Sequence, residues 1–345
     1  MKIGIITFHW ATNYGAVLQA YALQEYLRSY GYEVEIINYK PSRYEWLTYK
    51  AILKNPLKIK AQLRLSYRER LLREFRSSFL LQTKRYSCMN DLKKAANEYD
   101  VVISGSDQVL NPTFTTGGEG KPTDIYYLGF VGKNTRKLGY AVSFGCGKYP
   151  EYALKYANKW INNFDAIGVR ENSGINVLEQ LNYKGVKKIV PDPTLLYGKE
   201  LFANLCLPAK SNKSNLCVYM LGGMVASVQQ KGLVEIIDEY HHGQKLEEWL
   251  VNIRDTKFLV TNSYHGMLMA ILFHTPFAVI RNEKASGQNG RMTTVLERLG
   301  LEERLVDNNG KEIAEVMNKT IDWKVVDEKC EAYRIDGKEF LNKVL

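Results

Sequence analysis

A histidine that follows a predicted strand is the first residue of this chain that could carry out chemistry. In the segment TNSYHG (261–266), Ser263 and His265 come after a buried apolar run and at the start of a helical pattern. A helix N-terminus presents unpaired N–H groups and a partial positive charge, so it suits anions and a group that exchanges protons. His265 could therefore move a proton, but a lone histidine is more often a hydrogen-bonded core residue.

Two arginines occupy similar positions and could bind an anion. Arg170 ends the apolar run DAIGVR (165–170), and Arg291 follows Gly290 in the glycine-rich segment SGQNGR (286–291) before another helical pattern. A guanidinium forms paired hydrogen bonds with a carboxylate or a phosphate. A structural ion pair of Arg170 with Glu171 or with an aspartate, and a flexible surface loop around Arg291, are the competing interpretations.

Short polar side chains follow two further apolar runs nearer the N-terminus. Hydroxyl, carboxylate and carboxamide groups at such positions can bind a polar ligand, and a carboxylate can also carry a proton. Tight packing at a helix start and an Asx turn would explain the same residues without a ligand. The residues are Asn13, Tyr14 and Gln19 in FHWATNYGAVLQ (8–19), and Ser106, Asp107 and Gln108 in SGSDQVLNP (104–112).

The polar segments are separated by strands and helices that alternate along the chain. This alternation is typical of an α/β fold with a parallel sheet covered on both faces, in which ligands bind beyond the carboxyl ends of the strands. The apolar patterns predict strands at 2–8, 34–37, 101–104, 138–144, 166–169 and 189–190, and helices at 15–30 and 151–164.

A second unit of the same kind begins near residue 200. It is predicted to contain strands at 216–221, 258–261 and 277–281, helices at 233–240, 265–274 and 292–299, and a helical stretch at 311–345. A chain of 345 residues exceeds the size of most single cores, so two domains that face each other across a cleft are expected. We predict a Rossmann-like domain at 1–198 with a basic helical insertion at about 44–85, a second Rossmann-like domain at 199–320, and a helical tail at 321–345 that packs back on the first domain.

The composition favours a cytoplasmic protein over a secreted or membrane-spanning one. The five cysteines are scattered and lack CxxC spacing, which argues against a disulfide scaffold and a structural zinc site. The N-terminus MKIGIITF is predicted to be a buried strand and not a signal peptide, and no apolar run has the roughly 18–20 residues that span a bilayer. The sequence also lacks P-loop, G-x-S-x-G, GxGxxG, HExxH and DxD motifs.

Positive charge is concentrated in the first third of the chain. The net charge is +10, and much of the excess lies between residues 54 and 85, interleaved with leucines in a pattern that predicts one or two basic amphipathic helices. A solvated helix face, attraction to an anionic membrane surface or a lipid diphosphate, and nucleic-acid binding all fit these charges. The last is disfavoured, because no nucleic-acid motif accompanies them.

Six segments in order resemble the polysaccharide pyruvyl transferase family. Each is a modest signal alone, but their order over about residues 1–300 is specific. The resemblance implies a fold similar to the GT-B arrangement of two facing Rossmann-like domains. The segments are GIITFHWATNYGAVLQAYAL (4–23), VVISGSDQVLNP (101–112), DAIGVRENSG (165–174), VPDPTLLY (190–197), TNSYHG (261–266) and GRMTTVLERLGL (290–301).

The resemblance also implies a reaction and its participants. Pyruvate would pass from phosphoenolpyruvate to a sugar as a ketal, without a metal or another cofactor. The acceptor would be a galactose-type residue of a lipid-diphosphate-linked precursor of a capsule, an exopolysaccharide or a cell-wall polymer. The protein would work in the cytoplasm, with a peripheral contact at the inner membrane surface and no nucleic-acid partner.

Individual residues take roles from the same resemblance. His265 is expected to transfer the proton, with Asp107 in reserve. The donor would be bound by Arg170, His265, Arg291, Ser263 and Gly290 on one side of the cleft, and the acceptor by Asn13, Tyr14, Gln19, Ser106 and Gln108 on the other.

One departure and two alternatives stay open. Between Met220 and Glu247 the chain is shorter than the family leads us to expect, with no clear strand after the predicted helix at 233–240, so the second domain is trimmed or lacks residues there. A GT-B glycosyltransferase that uses a nucleotide sugar would have the same shape. A non-catalytic protein that binds a sugar or a lipid phosphate would have an anion-binding cleft without proton transfer.

Overall fold

The computed structural model describes residues 1–41, 59–115, 123–206, 214–228, 234–238, 244–282 and 289–345. Within these ranges the chain forms two α/β lobes, each built on a parallel sheet. We use "first lobe" for the part up to residue 206 and "second lobe" for residues 214–317. Both lobes match the α/β architecture that the alternating pattern predicts.

The first lobe contains a six-stranded sheet in the described part of the chain. Its four inner strands are mostly apolar and buried, because helices cover both faces of a parallel sheet, whereas the two edge strands also carry charged residues. The strands are β1 (Lys2–Ile6), β2 (Glu33–Ile36), β3 (Val101–Ser104), β4 (Arg136–Val142), β5 (Ala166–Val169) and β6 (Val186–Ile189). They pair in parallel in the order β2-β1-β3-β4-β5-β6.

The second lobe contains a five-stranded sheet in the residues that the structure describes. Its strands are β7 (Leu216–Met220), β8 (Val234–Asp238), β9 (Leu259–Thr261), β10 (Phe277–Ile280) and β11 (Leu305–Val306). They pair in parallel in the order β11-β10-β9-β7-β8.

The prediction of a helix at 233–240 is wrong, because this segment contains the edge strand β8. It pairs with β7 from Val234 opposite Leu216 to Asp238 opposite Met220. Val234, Ile236 and Ile237 are β-branched, and such side chains favour a strand over a helix. The helix that precedes β9 lies farther along the chain, at Leu246–Asp255.

The helices position the strand ends and close the sheets. In the first lobe they are α1 (Tyr14–Ser29), α2 (Ile59–Phe79), α3 (Met89–Ala96), α4 (Pro112–Thr115), α5 (Glu151–Ile161), α6 (Asn172–Gln180), α7 (Pro193–Tyr197) and α8 (Lys199–Leu205). In the second lobe they are α9 (Leu246–Asp255), α10 (Tyr264–Phe273), α11 (Gly290–Leu299) and α12 (Gly310–Met317). The last helix is α13 (Trp323–Val344).

The two lobes share one hydrophobic core. Leu18, Leu72 and Phe202 of the first lobe pack in the same buried cluster as Trp249 and residues of α10 from the second lobe. Tyr14 stacks on Trp249 with ring centroids 5.2 Å apart and donates a hydrogen bond of 2.8 Å to the carbonyl oxygen of Gln244. This continuous core fixes how the two sheets face each other.

The basic segment forms one long helix where the structure describes it. The predicted insertion at about 44–85 lies partly outside the described residues, which begin again at residue 59 with α2. One face of α2 is buried and includes Arg68, which lies over the ring of Tyr14 at 4.3 Å, and Arg76. The other face exposes Leu63 and Tyr67 together with the charged residues Arg64, Arg70, Arg73 and Glu74.

The C-terminal helix α13 joins the second lobe back to the first. Asp336 pairs with Arg298 of α11 at 2.9 Å, and Phe340 is buried against Tyr140 with ring centroids 6.2 Å apart. The Arg136 side chain donates hydrogen bonds of 2.8 Å to the carbonyl oxygens of Val344 and Leu345. Among the described residues, no helix combines the length and the apolar character needed to cross a membrane.

Because α13 supplies core contacts to the first lobe, we expect Phe340→Ala to lower the free energy of unfolding by about 3–5 kcal/mol. Val325→Ala, on the same helix at a side chain that is 42% exposed, should change it by less than about 0.5 kcal/mol. Urea titration followed by circular dichroism measures both changes. Equal effects of the two substitutions would show that the helix is not anchored by Phe340.

Candidate active site

A cleft of about 350 Å³ lies between the lobes, where strands of both sheets end. Ligands bind at this position in open parallel sheets. The first lobe contributes Phe8, Ala11, Asn13, Ala16, Asp107, Gln108, Asn111, Thr113 and Phe114 to its lining, and the second lobe contributes Leu221, Ser263, Tyr264, His265 and Arg291.

A buried carboxylate, Asp192, organises the residues beneath the cleft. Its Oδ2 atom accepts hydrogen bonds of 3.0 Å from Ser106 and from Arg170, and its Oδ1 atom accepts from the backbone and hydroxyl of Thr194. Burial alone would raise the pKa of Asp192, but His265, Arg170 and the Thr194 hydrogen bond outweigh it and lower the pKa below its ordinary value. Asp192 is therefore ionised at neutral pH.

Arg170 lies in the protein interior and not on the cleft surface. Its side chain is completely buried, with Nη1 3.0 Å from Asp192 and Nη2 3.6 Å from Oδ1 of Asp107. Its guanidinium carbon lies 5.0 Å from the ring centroid of Tyr264. Arg170 thus contacts the cleft-lining residues from inside, so this geometry does not support the predicted direct contact with a donor.

His265 connects the two lobes across the cleft. It follows the first residue of α10, whose N-terminus is capped by Ser263 accepting a hydrogen bond of 3.2 Å from the amide of Gly266. Its Nε2 atom lies 3.5 Å from Oδ2 of Asp192. The ring also rests on Gly15 of α1, where an added Cβ would lie 2.1 Å from Nδ1 of His265. The position of the imidazole therefore requires glycine at this point of the first lobe.

Arg291 is the cationic side chain that lines the cleft from α11. Its guanidinium carbon lies 5.3 Å from the ring centroid of Tyr264. The same ring therefore contacts two arginines, because the guanidinium carbon of Arg170 lies 5.0 Å from its centroid. Burial and the positive charge of Arg170 lower the pKa of Arg291. Within the described ranges, its buried Nε atom has no hydrogen-bond partner. An anion bound here would supply a partner for this atom.

Asp107 is held at the cleft in an unusual backbone conformation. Its φ of 94° lies in the left-handed region, which non-glycine residues seldom adopt. Its carbonyl oxygen accepts a hydrogen bond of 2.9 Å from Ser143, and its Oδ1 atom accepts one of 2.8 Å from the amide of Gln108. Strained residues of this kind cluster at functional sites.

The structure brings together some of the predicted site residues and leaves others apart. His265, Asp107, Arg291, Ser263, Asn13 and Gln108 all line the cleft. Ser106 is buried and hydrogen-bonded to Asp192. Tyr14 packs between the lobes, Gln19 donates hydrogen bonds to Thr7 and Ala16 inside the first lobe, and Gly290 begins α11 next to Ser173. These last three residues are outside the cleft lining, contrary to their predicted contact with substrate.

Asp192 and Glu171 were not identified as site residues from the sequence. Asp192 belongs to the segment VPDPTLLY, where an aspartate before proline and threonine is a helix-start signal, and its side chain does cap α7. Glu171 is buried and accepts a hydrogen bond of 2.7 Å from Ser143. Burial raises the pKa of Glu171, while the charge of Arg170 opposes this rise.

No group of three or more histidine, cysteine or acidic side chains in the described parts of the chain could hold a metal ion. The polar side chains that line the cleft carry cationic, carboxamide and hydroxyl groups. Asp107 contributes the one carboxylate among these lining residues.

Two facing Rossmann-like lobes with a cleft between them define a protein of the GT-B class. A UDP-GlcNAc 2-epimerase from Methanocaldococcus jannaschii has a similar fold, with a TM-score of 0.52 at 10% identity over 97% of this chain and 99% of that one. S. aureus MnaA in complex with UDP gives a TM-score of 0.52 at 12% identity, over 99% of this chain and 95% of that one. These similarities confirm the predicted fold class.

The chain belongs to the polysaccharide pyruvyl transferase family, whose sequence model matches residues 13–284. It is therefore an enzyme that transfers pyruvate, as the six motifs predict. A search of curated protein sequences gave no match.

The contact between Gly15 and His265 leads to a prediction. Gly15→Ala forces the imidazole to move, and displacement of a catalytic group by about 1 Å can cost roughly 100-fold in rate. We expect a loss of that size in pyruvyl transfer, with a normal circular dichroism spectrum. Gly147→Ala is the control, since nothing lies within 4 Å of a Cβ added there. If both variants keep the wild-type rate, the position of His265 does not depend on this contact.

Proposed function

We propose that this enzyme transfers pyruvate from phosphoenolpyruvate to two hydroxyl groups of a sugar, forming a pyruvate ketal. The observation that carries the proposal is the convergence of Arg291 and His265 on one wall of the cleft, backed by the buried Arg170. Phosphoenolpyruvate carries a carboxylate and a phosphate on adjacent positions, and a small cationic wall matches this charge.

Arg291 is the proposed direct contact of the donor. Its lowered pKa and its unpaired Nε atom in the described structure mark a cation whose charge Asp107 and Glu171 compensate only in part. Arg170 acts from behind Tyr264, where it adds positive potential and holds Asp192 and Asp107 in place. We therefore assign Arg170 a positioning role and Arg291 a binding role.

The reaction needs one proton to be delivered and two to be removed. Protonation of the methylene carbon gives a methyl group and a cationic carbon beside the carboxylate. One sugar hydroxyl adds to that carbon and loses its proton, and the bond to the phosphate oxygen then breaks to release inorganic phosphate. The second hydroxyl adds to the same carbon, loses its proton and closes the ketal.

His265 is the proposed proton-transfer residue. The ionised Asp192 lies 3.5 Å from Nε2 and orients the ring, in the manner of a carboxylate that supports a catalytic histidine. Asp107 lines the same cleft at a strained backbone position and is the second candidate for this role.

The acceptor, the absence of a metal and the cellular location follow from the family resemblance and are proposals as well. We propose a galactose-type residue on a lipid diphosphate as the acceptor, in the synthesis of a capsule, exopolysaccharide or cell-wall polymer. None of the five cysteines, all of which lie in described segments, forms a disulfide, which fits the reducing cytoplasm. A nucleotide-sugar donor is the competing reaction, because one fold relative was solved with UDP.

The donor assignment is tested by binding and kinetics together. Phosphoenolpyruvate should raise the melting temperature without added metal, because ligand binding stabilises the folded state. Arg291→Ala should abolish most of this rise and reduce kcat/KM by about 100–1000-fold. His265→Gln should keep the rise and lose about 100-fold or more in kcat at saturating donor.

The matched control is Arg298→Ala, on the same helix, whose guanidinium lies 4.4 Å from the ring centroid of Tyr333 outside the cleft. It should bind phosphoenolpyruvate as the wild type does. Stabilisation by a nucleotide sugar and not by phosphoenolpyruvate would replace the proposed reaction with glycosyl transfer. A His265→Gln enzyme with normal kcat would move the proton-transfer role to Asp107.

The exposed face of α2 is the proposed contact with the membrane. Leu63 and Tyr67, which are 64% and 45% exposed, lie beside Arg64, Arg70 and Arg73 on this face. Basic residues beside exposed apolar ones are typical of surfaces that meet anionic lipid. A lipid-linked acceptor would make such a contact useful to the enzyme.

Reversal of Arg64, Arg70 and Arg73 to Glu should abolish binding to vesicles that contain anionic lipid, without loss of turnover on a soluble acceptor. Wild-type binding should weaken steeply between low and physiological salt, because the Debye length falls to about 8 Å. The control reverses the exposed Lys93, Lys94 and Lys148 and changes the net charge equally. Equal loss in both triple variants would mean that only net charge matters, and binding to neutral vesicles would contradict the proposal.

A further inference from the structure

We call the side of the cleft that the first lobe forms the first-lobe wall. It contains two phenylalanines, Phe8 and Phe114, which take no part in the proposed binding of phosphoenolpyruvate. The rings of Phe8 and Phe114 meet edge to face, with centroids 5.2 Å apart. Phe8 also contacts Tyr126 at 4.9 Å and Trp10 at 5.8 Å, both edge to face. These contacts hold Phe8 in a fixed orientation, so the wall presents a preformed aromatic surface to whatever occupies the cleft.

The carboxamide of Asn13 beside this surface has a fixed orientation. Its Oδ1 atom accepts a hydrogen bond of 3.1 Å from the backbone amide of Ala16, as the N-cap of α1. A backbone N–H can only donate, so the oxygen must face it and the amino group must point elsewhere. Within the described residues, this amino group donates no hydrogen bond.

Gln108 is oriented in the same way through Asn111. The backbone amide of Thr113 donates a hydrogen bond of 2.9 Å to Oδ1 of Asn111, and Nδ2 of Asn111 donates one of 2.8 Å to Oε1 of Gln108. The amino group of Gln108 is thus left without an acceptor among the described residues. Gly145 supports the pair, since an added Cβ would lie 2.3 Å from each of the two bonded atoms.

The first-lobe wall therefore offers apolar rings and amide donors, and its charged lining residue in the described structure is the anionic Asp107. An acidic sugar would bring a carboxylate to a wall without a cation, at a large desolvation cost. A neutral sugar has an apolar face of C–H groups and hydroxyl oxygens that accept hydrogen bonds. Its chemistry matches both features of the wall.

We propose that Phe8 and Phe114 form the platform of an acceptor subsite for an uncharged hexopyranose, whose hydroxyl oxygens accept hydrogen bonds from the amino groups of Asn13 and Gln108. This assignment rests on the proposed function and narrows its acceptor to neutral sugars. A galactoside fits well, because its axial hydroxyl leaves one continuous face of C–H groups for the rings.

Kinetics with phosphoenolpyruvate and methyl β-galactopyranoside test the platform. Phe114→Ala should raise KM for the galactoside about tenfold or more and leave KM for phosphoenolpyruvate unchanged, and Phe114→Tyr should restore the wild-type value. Phe273→Ala removes a phenyl ring of similar partial burial that lies outside the cleft, and should change neither KM. An increase in KM for phosphoenolpyruvate alone would overturn the assignment.

The amide donors are tested by substitutions that keep the internal hydrogen bonds. Asn13→Ser retains a helix cap, and Gln108→Glu retains the oxygen that accepts from Asn111. Each should raise KM for the galactoside about tenfold, with an unchanged rise in melting temperature on addition of phosphoenolpyruvate. Unchanged KM in both variants would remove these amides from the subsite.

Saturation-transfer NMR separates failure of this subsite from failure of the proposed reaction. The wild type should bind methyl β-galactopyranoside more tightly than methyl β-galactopyranosiduronate, and Phe114→Ala should lose the galactoside signal. If the galactoside binds in this way but phosphoenolpyruvate is not turned over, the neutral-sugar subsite is supported and phosphoenolpyruvate is rejected as the donor. Equal or tighter binding of the uronate would reject the neutral-sugar subsite even if phosphoenolpyruvate is turned over.

Discussion

The site depends on one buried carboxylate that has partners in both lobes. Asp192 accepts hydrogen bonds from Ser106 after β3, Arg170 after β5 and Thr194 in α7, and it lies 3.5 Å from His265 of the second lobe. A buried charge costs several kcal/mol unless it is paired, so these residues hold one another in place. Loss of the carboxylate would leave the Arg170 guanidinium buried and without its closest anionic partner.

The shared core makes this interaction possible, because it sets the distance between the lobes before any ligand arrives. Tyr14 stacks on Trp249 only one residue before Gly15, the position on which the His265 ring rests. Helix α1 therefore carries both the packing contact between lobes and the surface that confines the imidazole. Preorganisation of this kind lowers the reorganisation needed during the reaction, and it explains why a packing residue and a site residue are adjacent in the sequence.

The fold was more predictable than the arrangement of the site. Alternating apolar runs predicted most strands to within two or three residues, and they failed at Val234–Asp238, where a short β-branched run was interpreted as a helix. The motifs identified His265, Asp107 and Arg291 at the cleft, because strand ends and helix starts converge in a parallel sheet. They could not show that Arg170, Tyr14 and Gln19 are buried, since burial depends on contacts between segments far apart in the chain. The sequence does not single out Asp192, since an aspartate at a helix start needs no ligand to explain it and its partners lie in other segments of the chain.

The two walls of the cleft differ in charge, and this difference suits two kinds of ligand. Arg170 is paired with Asp192 at 3.0 Å and lies 3.6 Å from Asp107, so its charge has close anionic partners within the protein. For Arg291, burial and the charge of Arg170 lower the pKa, and the charges of Asp107 and Glu171 offset this only in part, so its charged form is held at a cost. The carboxylate and phosphate of a small donor would relieve that cost, whereas a neutral molecule would not. The first-lobe wall, with amide donors and aromatic rings, has no comparable demand for an anion. The proposed charged donor is therefore favoured at the wall that contains Arg291, and the proposed uncharged acceptor fits the wall that contains the aromatic rings and the amide donors.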